Sequence, residues 1–109
     1  MEENKIAFII PAYNEERTIA KVVSDCNKFG DVFVINDCST DMTGKILENL
    51  KAKIISNSHN LGYEKSLFKC INYAYQTFKY DFFISIDWQI IFLMLIIGRR
   101  NCKIKKFPR

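Results

Sequence analysis

Four apolar residues, Val32-Phe33-Val34-Ile35, run straight into a polar knot, Asn36-Asp37-Cys38-Ser39-Thr40-Asp41. A short, continuously apolar run rich in β-branched residues and bounded by turn formers reads as a buried strand of a parallel sheet. The knot then falls at the carboxyl end of the strand, where open α/β sheets bind their ligands. Asp41 is placed to cap the helix that follows, with Thr40 as the competing residue. Asp37 is a carboxylate at that same edge, and the rest of the chain decides what it faces.

The same grammar recurs on either side. Lys5 to Ile10 is a first apolar run, closed by Pro11, since proline ends a strand more readily than it continues one. Asn14 is the expected cap of the next helix, with Glu15 and Glu16 in its first turn, where carboxylates suit the helix dipole. Ile19, Val22, Val23, Cys26 and Phe29 fall at helical spacing on one apolar face, and Gly30 is a natural stop. A shorter helix is expected around Ile46, Leu47 and Leu50, its first turn weakened by Gly44. Lys53 to Ser56 reads as a third strand, and 57–62 as a polar loop. Leu67, Cys70, Ile71, Ala74 and Phe78 are spaced as a third helix, and Phe82 to Ile86 as a fourth strand ending at Asp87. Residues 1–87 thus predict β-α-β-α-β-α-β: an α/β fold, an open, mostly parallel sheet with helices on both faces.

Charge divides the chain at the same point. Residues 1–87 hold ten Lys/Arg against twelve Asp/Glu, while 88–109 hold six Lys/Arg and no acid. The basic balance belongs to the end of the chain, so no nucleic acid partner is expected for the domain. Trp88 to Ile97 is almost wholly apolar without alternation, and 88–109 reads as an apolar then basic tail. Ile90 to Ile97 is too short to cross a bilayer, and the acidic start lacks the basic region of a signal peptide. The four cysteines form no C-x-x-C pair, which favours free thiols over zinc or a disulfide framework.

Three polar clusters stand at carboxyl ends of predicted strands: Pro11-Ala12-Tyr13-Asn14-Glu15-Glu16, Asn36 to Asp41, and Asp87. In a parallel sheet those ends share one edge, so the clusters converge on one crevice. "IAFIIPAYNEERTI", "VFVINDCSTDMT" and "NLGYEKSL", in that order, resemble the N-terminal half of family 2 glycosyltransferases with a GT-A type fold. The resemblance covers residues 5 to 87 and implies a nucleotide-sugar-binding half.

Carried over, it implies that Pro11, Ala12, Tyr13 and Glu15 line a nucleoside pocket, and that Asn36, Asp37 and Ser39 belong to the same donor site. Asp37 would hydrogen-bond the base: a carboxylate accepts the imide N–H of uracil in a charge-assisted bond. The implied reaction is inverting transfer of a sugar from a UDP- or GDP-sugar to an acceptor hydroxyl, on a glycan or a lipid-linked acceptor. The implied place is the cytoplasm, at the inner face of the membrane. A divalent cation, Mg or Mn, would sit on the donor diphosphate. Relatives hold it with Asp-x-Asp, whereas here Asp87 is followed two residues on by the uncharged Gln89, which weakens the set. Glu64, Ser66 and Cys70 also depart, standing where relatives carry small residues or glycine; Glu64 is expected simply in the first turn of a helix.

No Asp, Glu or His follows Asp87, so no catalytic base is assigned, and His59 is expected as a solvent-exposed loop residue. The competing expectations are a truncated, inactive product and a membrane-surface module acting through residues 90–109.

Overall fold

The two longest apolar runs of the first half become strands because each is buried on both faces. In the computed structural model, which describes residues 5–77, 80–86, 92–97 and 102–107, the elements are β1 (Ile6–Ala12), α1 (Ile19–Asn27), β2 (Asp31–Asn36), α2 (Thr43–Leu47), β3 (Lys53–Ser56), α3 (Tyr63–Thr77), β4 (Phe82–Ser85), β5 (Phe92–Ile97) and β6 (Cys102–Phe107). They form a six-stranded sheet in the order β3-β2-β1-β4-β5-β6. The pairs β1–β2, β1–β4 and β2–β3 are parallel. The predicted βαβ alternation is present as drawn.

Strand alternation sends successive side chains to opposite faces. Ala7, Ile9, Phe33, Ile35 and Phe83 meet Leu67, Cys70, Ile71 and Ala74 of α3 on one face. Phe8, Ile10, Val32 and Val34 meet Ile19, Val23 and Cys26 of α1 and Leu47 of α2 on the other. Helices on both faces explain why the strands read as unbroken apolar runs. Burial also quiets the thiols, raising Cys26 to about 11 and Cys70 to about 12.

Four local expectations are corrected. Pro11 does not end β1, which continues to Ala12. The Ala12 carbonyl faces β2, where it accepts the Asp37 N–H, and the Ile9 carbonyl faces β4. Residue 11 therefore turns its nitrogen toward β4, whose ladder stops at Ile9 and Ser85, so no ladder bond is lost. Asn14 is not the cap of α1: the helix starts at Ile19 after Thr18, with no acid in its first turn. Phe29 leaves the apolar face and is 71% exposed, because the helix ends at Asn27. Gly30 is needed for space rather than for a left-handed turn, since a Cβ there would lie 2.5 Å from the Ile6 carbonyl oxygen.

The tail also differs from expectation. Phe92–Ile97 pairs antiparallel with β4, and Cys102–Phe107 pairs antiparallel with β5. An apolar run with no acid suits a strand flanked on both sides, and here it extends the sheet. Among the described residues no helix is long and apolar enough to cross a membrane.

Candidate functional site

The carboxyl end of β2 delivers two neighbouring polar side chains to opposite faces of the sheet. Asn36 turns toward α2: its Oδ1 accepts the Ser39 N–H at 3.1 Å, and its Nδ2 would sit 3.3 Å from a Cβ on Gly44. The glycine that weakens the first turn of α2 thus leaves room for Asn36. A cleft of about 430 Å³ opens on this side, lined by Asn36, Ser39, Asp41, Gly44, Lys45 and Ser56 among others.

Asp37 turns toward α3 and is 4% exposed. Its Oδ1 accepts Nδ2 of Asn57 at 2.8 Å and the Leu61 N–H at 2.7 Å, and its Oδ2 accepts the Gly62 N–H at 2.9 Å. Gly62, at φ +88°, supplies the left-handed turn that aims these amides at the carboxylate. Burial works to raise the Asp37 pKa. The bonds from Leu61, Asn57 and Gly62, with help from the Ser66 hydroxyl, outweigh it and hold the group below its ordinary 3.8. Asn57 is itself fixed, donating to Ser66 Oγ at 3.1 Å and accepting from Lys69 Nζ at 2.7 Å. Sequence reasoning left Asn57, Ser66 and Lys69 unassigned. The one available signal was position: Asn57 lies just past the carboxyl end of β3, on the same edge as the other clusters.

The loops after β1 and β2 are stitched to each other by side chains accepting main-chain N–H groups. Asn14, at φ +54°, accepts the amides of Thr40 at 2.8 Å and Asp41 at 3.3 Å through Oδ1. In return, Ser39 Oγ accepts the Asn14 N–H at 3.0 Å and Thr43 Oγ1 accepts the Glu15 N–H at 2.9 Å. Glu16 and Asp41 exchange similar bonds with the Met42 and Glu16 amides. Asp41 does serve the start of α2, taking the Thr43 amide at 2.9 Å, although the helix itself begins after Met42. Cys38 stands at φ +62°, a left-handed position that a side chain other than Asn or Gly occupies at a cost.

The expected donor residues therefore divide. Pro11 and Ala12 are buried in the last turn of β1, and the Ala12 carbonyl bonds the Asp37 amide at 2.8 Å. Tyr13 follows at once and is 47% exposed, an aromatic face beside the Asp37 strand end. Glu15 is half-buried; desolvation raises its pKa and Asp41 adds to this, against a bond from Thr18. Ser39 and Asn36 belong to the loop stitching and the α2 side. Glu64 lies in the first turn of α3 and His59 is exposed, as expected. Asp87 and Gln89 lie outside the described residues. Among the described residues no group of three or more His, Cys, Asp or Glu gathers into a set that could hold a metal ion.

The parallel strands β3-β2-β1-β4, with helices on both faces, form a Rossmann-like α/β domain, and its match to solved glycosyltransferases places it in the GT-A type. The glycosyl transferase family 2 profile matches residues 7–87, and the chain belongs to that family. It is 43% identical over 86 residues to an uncharacterized protein of Methanocaldococcus jannaschii, covering 72% of this chain and 38% of that one. It is 33% identical over 91 residues to an uncharacterized glycosyltransferase of Haemophilus influenzae, covering 75% and 27%. The chain thus spans well under half the length of these relatives. Among solved structures it resembles S. aureus TarS in complex with UDP, at a TM-score of 0.65 and 26% identity, over 76% of this chain and 27% of that one. The fold is also that of glucosyl-3-phosphoglycerate synthase from Mycobacterium tuberculosis, at a TM-score of 0.62 and 22% identity, over 77% and 33%.

Proposed function

We propose that this chain binds the nucleotide of a sugar-nucleotide donor, UDP- or GDP-linked. In the whole protein, the sugar would pass to a hydroxyl of a glycan or lipid-linked acceptor. The observation that carries this reading is the junction of Ala12 and Asp37. The two strand ends are joined by a 2.8 Å bond, which sets the Tyr13 ring and the Asp37 carboxylate at one edge. An aromatic face and an ionised acceptor are what a nucleobase needs: a surface to stack on and a partner for its N–H. Support comes from TarS, whose structure holds UDP, and from a Methanococcus voltae relative named as a UDP-N-acetylglucosamine–dolichyl-phosphate N-acetylglucosaminyltransferase. That relative is 38% identical over 53 residues.

In the inverting reaction, the acceptor oxygen bonds to the anomeric carbon as the bond to the diphosphate oxygen breaks. The acceptor proton passes to a base from the acceptor side of the whole protein. A divalent cation would neutralise the leaving diphosphate, with Asp87 as the carboxylate the motif offers. The work would take place in the cytoplasm, at the inner face of the membrane where lipid-linked acceptors are met.

Calorimetric titration with UDP and GDP, with and without Mn²⁺, tests the reading. Saturable binding that is lost in Tyr13→Ala is expected. Absence of binding by either nucleotide overturns it.

A further inference from the structure

The bonds around Asp37 restrict which base it can read. An ionised carboxylate has about four lone-pair positions, two on each oxygen. Asn57 Nδ2 and the Leu61 N–H occupy both positions of Oδ1, while the Gly62 N–H occupies one of Oδ2. The Ser66 hydroxyl also favours the ionised carboxylate, but its hydrogen rotates and can yield to a stronger donor. The Asn57 amide cannot turn over to release Oδ1. Lys69 Nζ holds its carbonyl at 2.7 Å, and a flipped amide would point its NH₂ at that ammonium. Asn57 and Ser66 are 7% and 0% exposed, so water does not readily replace these partners.

We propose that Asn57, oriented by Lys69, leaves Asp37 a single acceptor position and so selects a base with one imide N–H, uracil or thymine, over guanine. This rests on the nucleotide-binding reading above. Guanine presents its ring N–H and its exocyclic amino group side by side, a pair that a carboxylate accepts with both oxygens. With Oδ1 filled, one of those donors is desolvated without a partner. Cytosine and adenine turn an unprotonated ring nitrogen toward the carboxylate, which repels it. Lys69 and Asn57 are thus positioning residues that act through Asp37, and both lie outside the three clusters that first mark the site.

The test is titration of the 109-residue chain with UDP, TDP and GDP in Mn²⁺ buffer. UDP and TDP are expected to bind at least about tenfold tighter than GDP, the loss that follows from one unpaired buried donor. Asn57→Ala frees a position on Oδ1 and is expected to bring the UDP-to-GDP ratio within about threefold. Lys69 is exposed, so its replacements are expected to keep the fold: Lys69→Met, of similar length but without a donor, is expected to lower the ratio, and Lys69→Arg, which still donates to the Asn57 carbonyl, to preserve it. If Asn57→Ala does not fold, the Lys69 pair decides. GDP binding as tightly as UDP to the unaltered chain overturns the proposal, as does a ratio unmoved in the variants. Failure of all three nucleotides to bind overturns the nucleotide reading itself, an outcome distinct from binding in the wrong order.

Discussion

The two junctions at the carboxyl end of β2 are built from the same kind of bond in opposite surroundings. On the β1 side, Asn14, Ser39, Asp41 and Thr43 accept main-chain amides in a mostly exposed network, where water competes for the partners except at the buried Thr43. On the α3 side, Asp37 collects three donors almost out of solvent. An exposed bond is worth little because its loss is repaired by water, whereas a buried one leaves an orphan. The exposed junction shapes the loops through many small contributions; the buried one concentrates its contribution in one carboxylate.

Asp37→Ala is the sharpest way to break this contrast. It strands the Asn57 amide and two loop amides, with an expected loss of about 2–4 kcal/mol in urea unfolding. A loss below about 1 kcal/mol would show that water reaches the latch and would erase the distinction between the junctions. Asn14→Ala on the exposed side should cost only about 1 kcal/mol, from two amides that water can serve and a residue left at positive φ.

The smallest change should be a gain. Cys38→Gly relieves the left-handed strain between the two junctions and is expected to raise stability by about 0.5–1 kcal/mol, visible as a higher denaturation midpoint. A neutral or destabilising result would mean that the contact of the Cys38 thiol with the Ser58 carbonyl, at 3.6 Å, outweighs the strain.

Acid separates the junctions by another route. Because the folded pKa of Asp37 lies below its ordinary 3.8, its contribution is fully present above that value and is lost as pH falls through the folded pKa. Asp41 is lowered as well, whereas Glu15 is raised and acts in the opposite sense, so the pH dependence of Asp37 is read by difference. Unfolding measured at pH 7 and at pH 3 should show a smaller acid loss in Asp37→Asn than in the unaltered chain. Equal losses would place the acid sensitivity elsewhere.

The strands and helices of the first half were legible because burial on two faces writes itself as apolar runs and helical spacing. Pro11 misled because its lost donor matters only where a neighbouring strand needs it, and β4 stops short of it. The strands at 92–97 and 102–107 were hidden because an unbroken apolar run followed by a basic one reads as a tail until a partner strand is known. At the site, Asp37, Asn36 and Tyr13 stood out by type and position. The partners of Asp37 did not, since Asn57 and Ser66, with Lys69 holding Asn57, are brought to it by a crossover that no local pattern encodes.

The order of strands in the sheet also sets an order in time. β1 acquires β2 after one short helix, but its other edge waits for β4, where the Lys5 amide meets the Asp81 carboxylate across 76 residues. During synthesis at about 5–20 residues per second, the apolar central strand therefore has one edge unpaired until most of the domain has left the ribosome. Pairings of such long range are slow to close and leave sticky edges open meanwhile. Folding yield should thus depend less on how strongly the finished sheet holds together than on what shields that edge of β1 before β4 arrives.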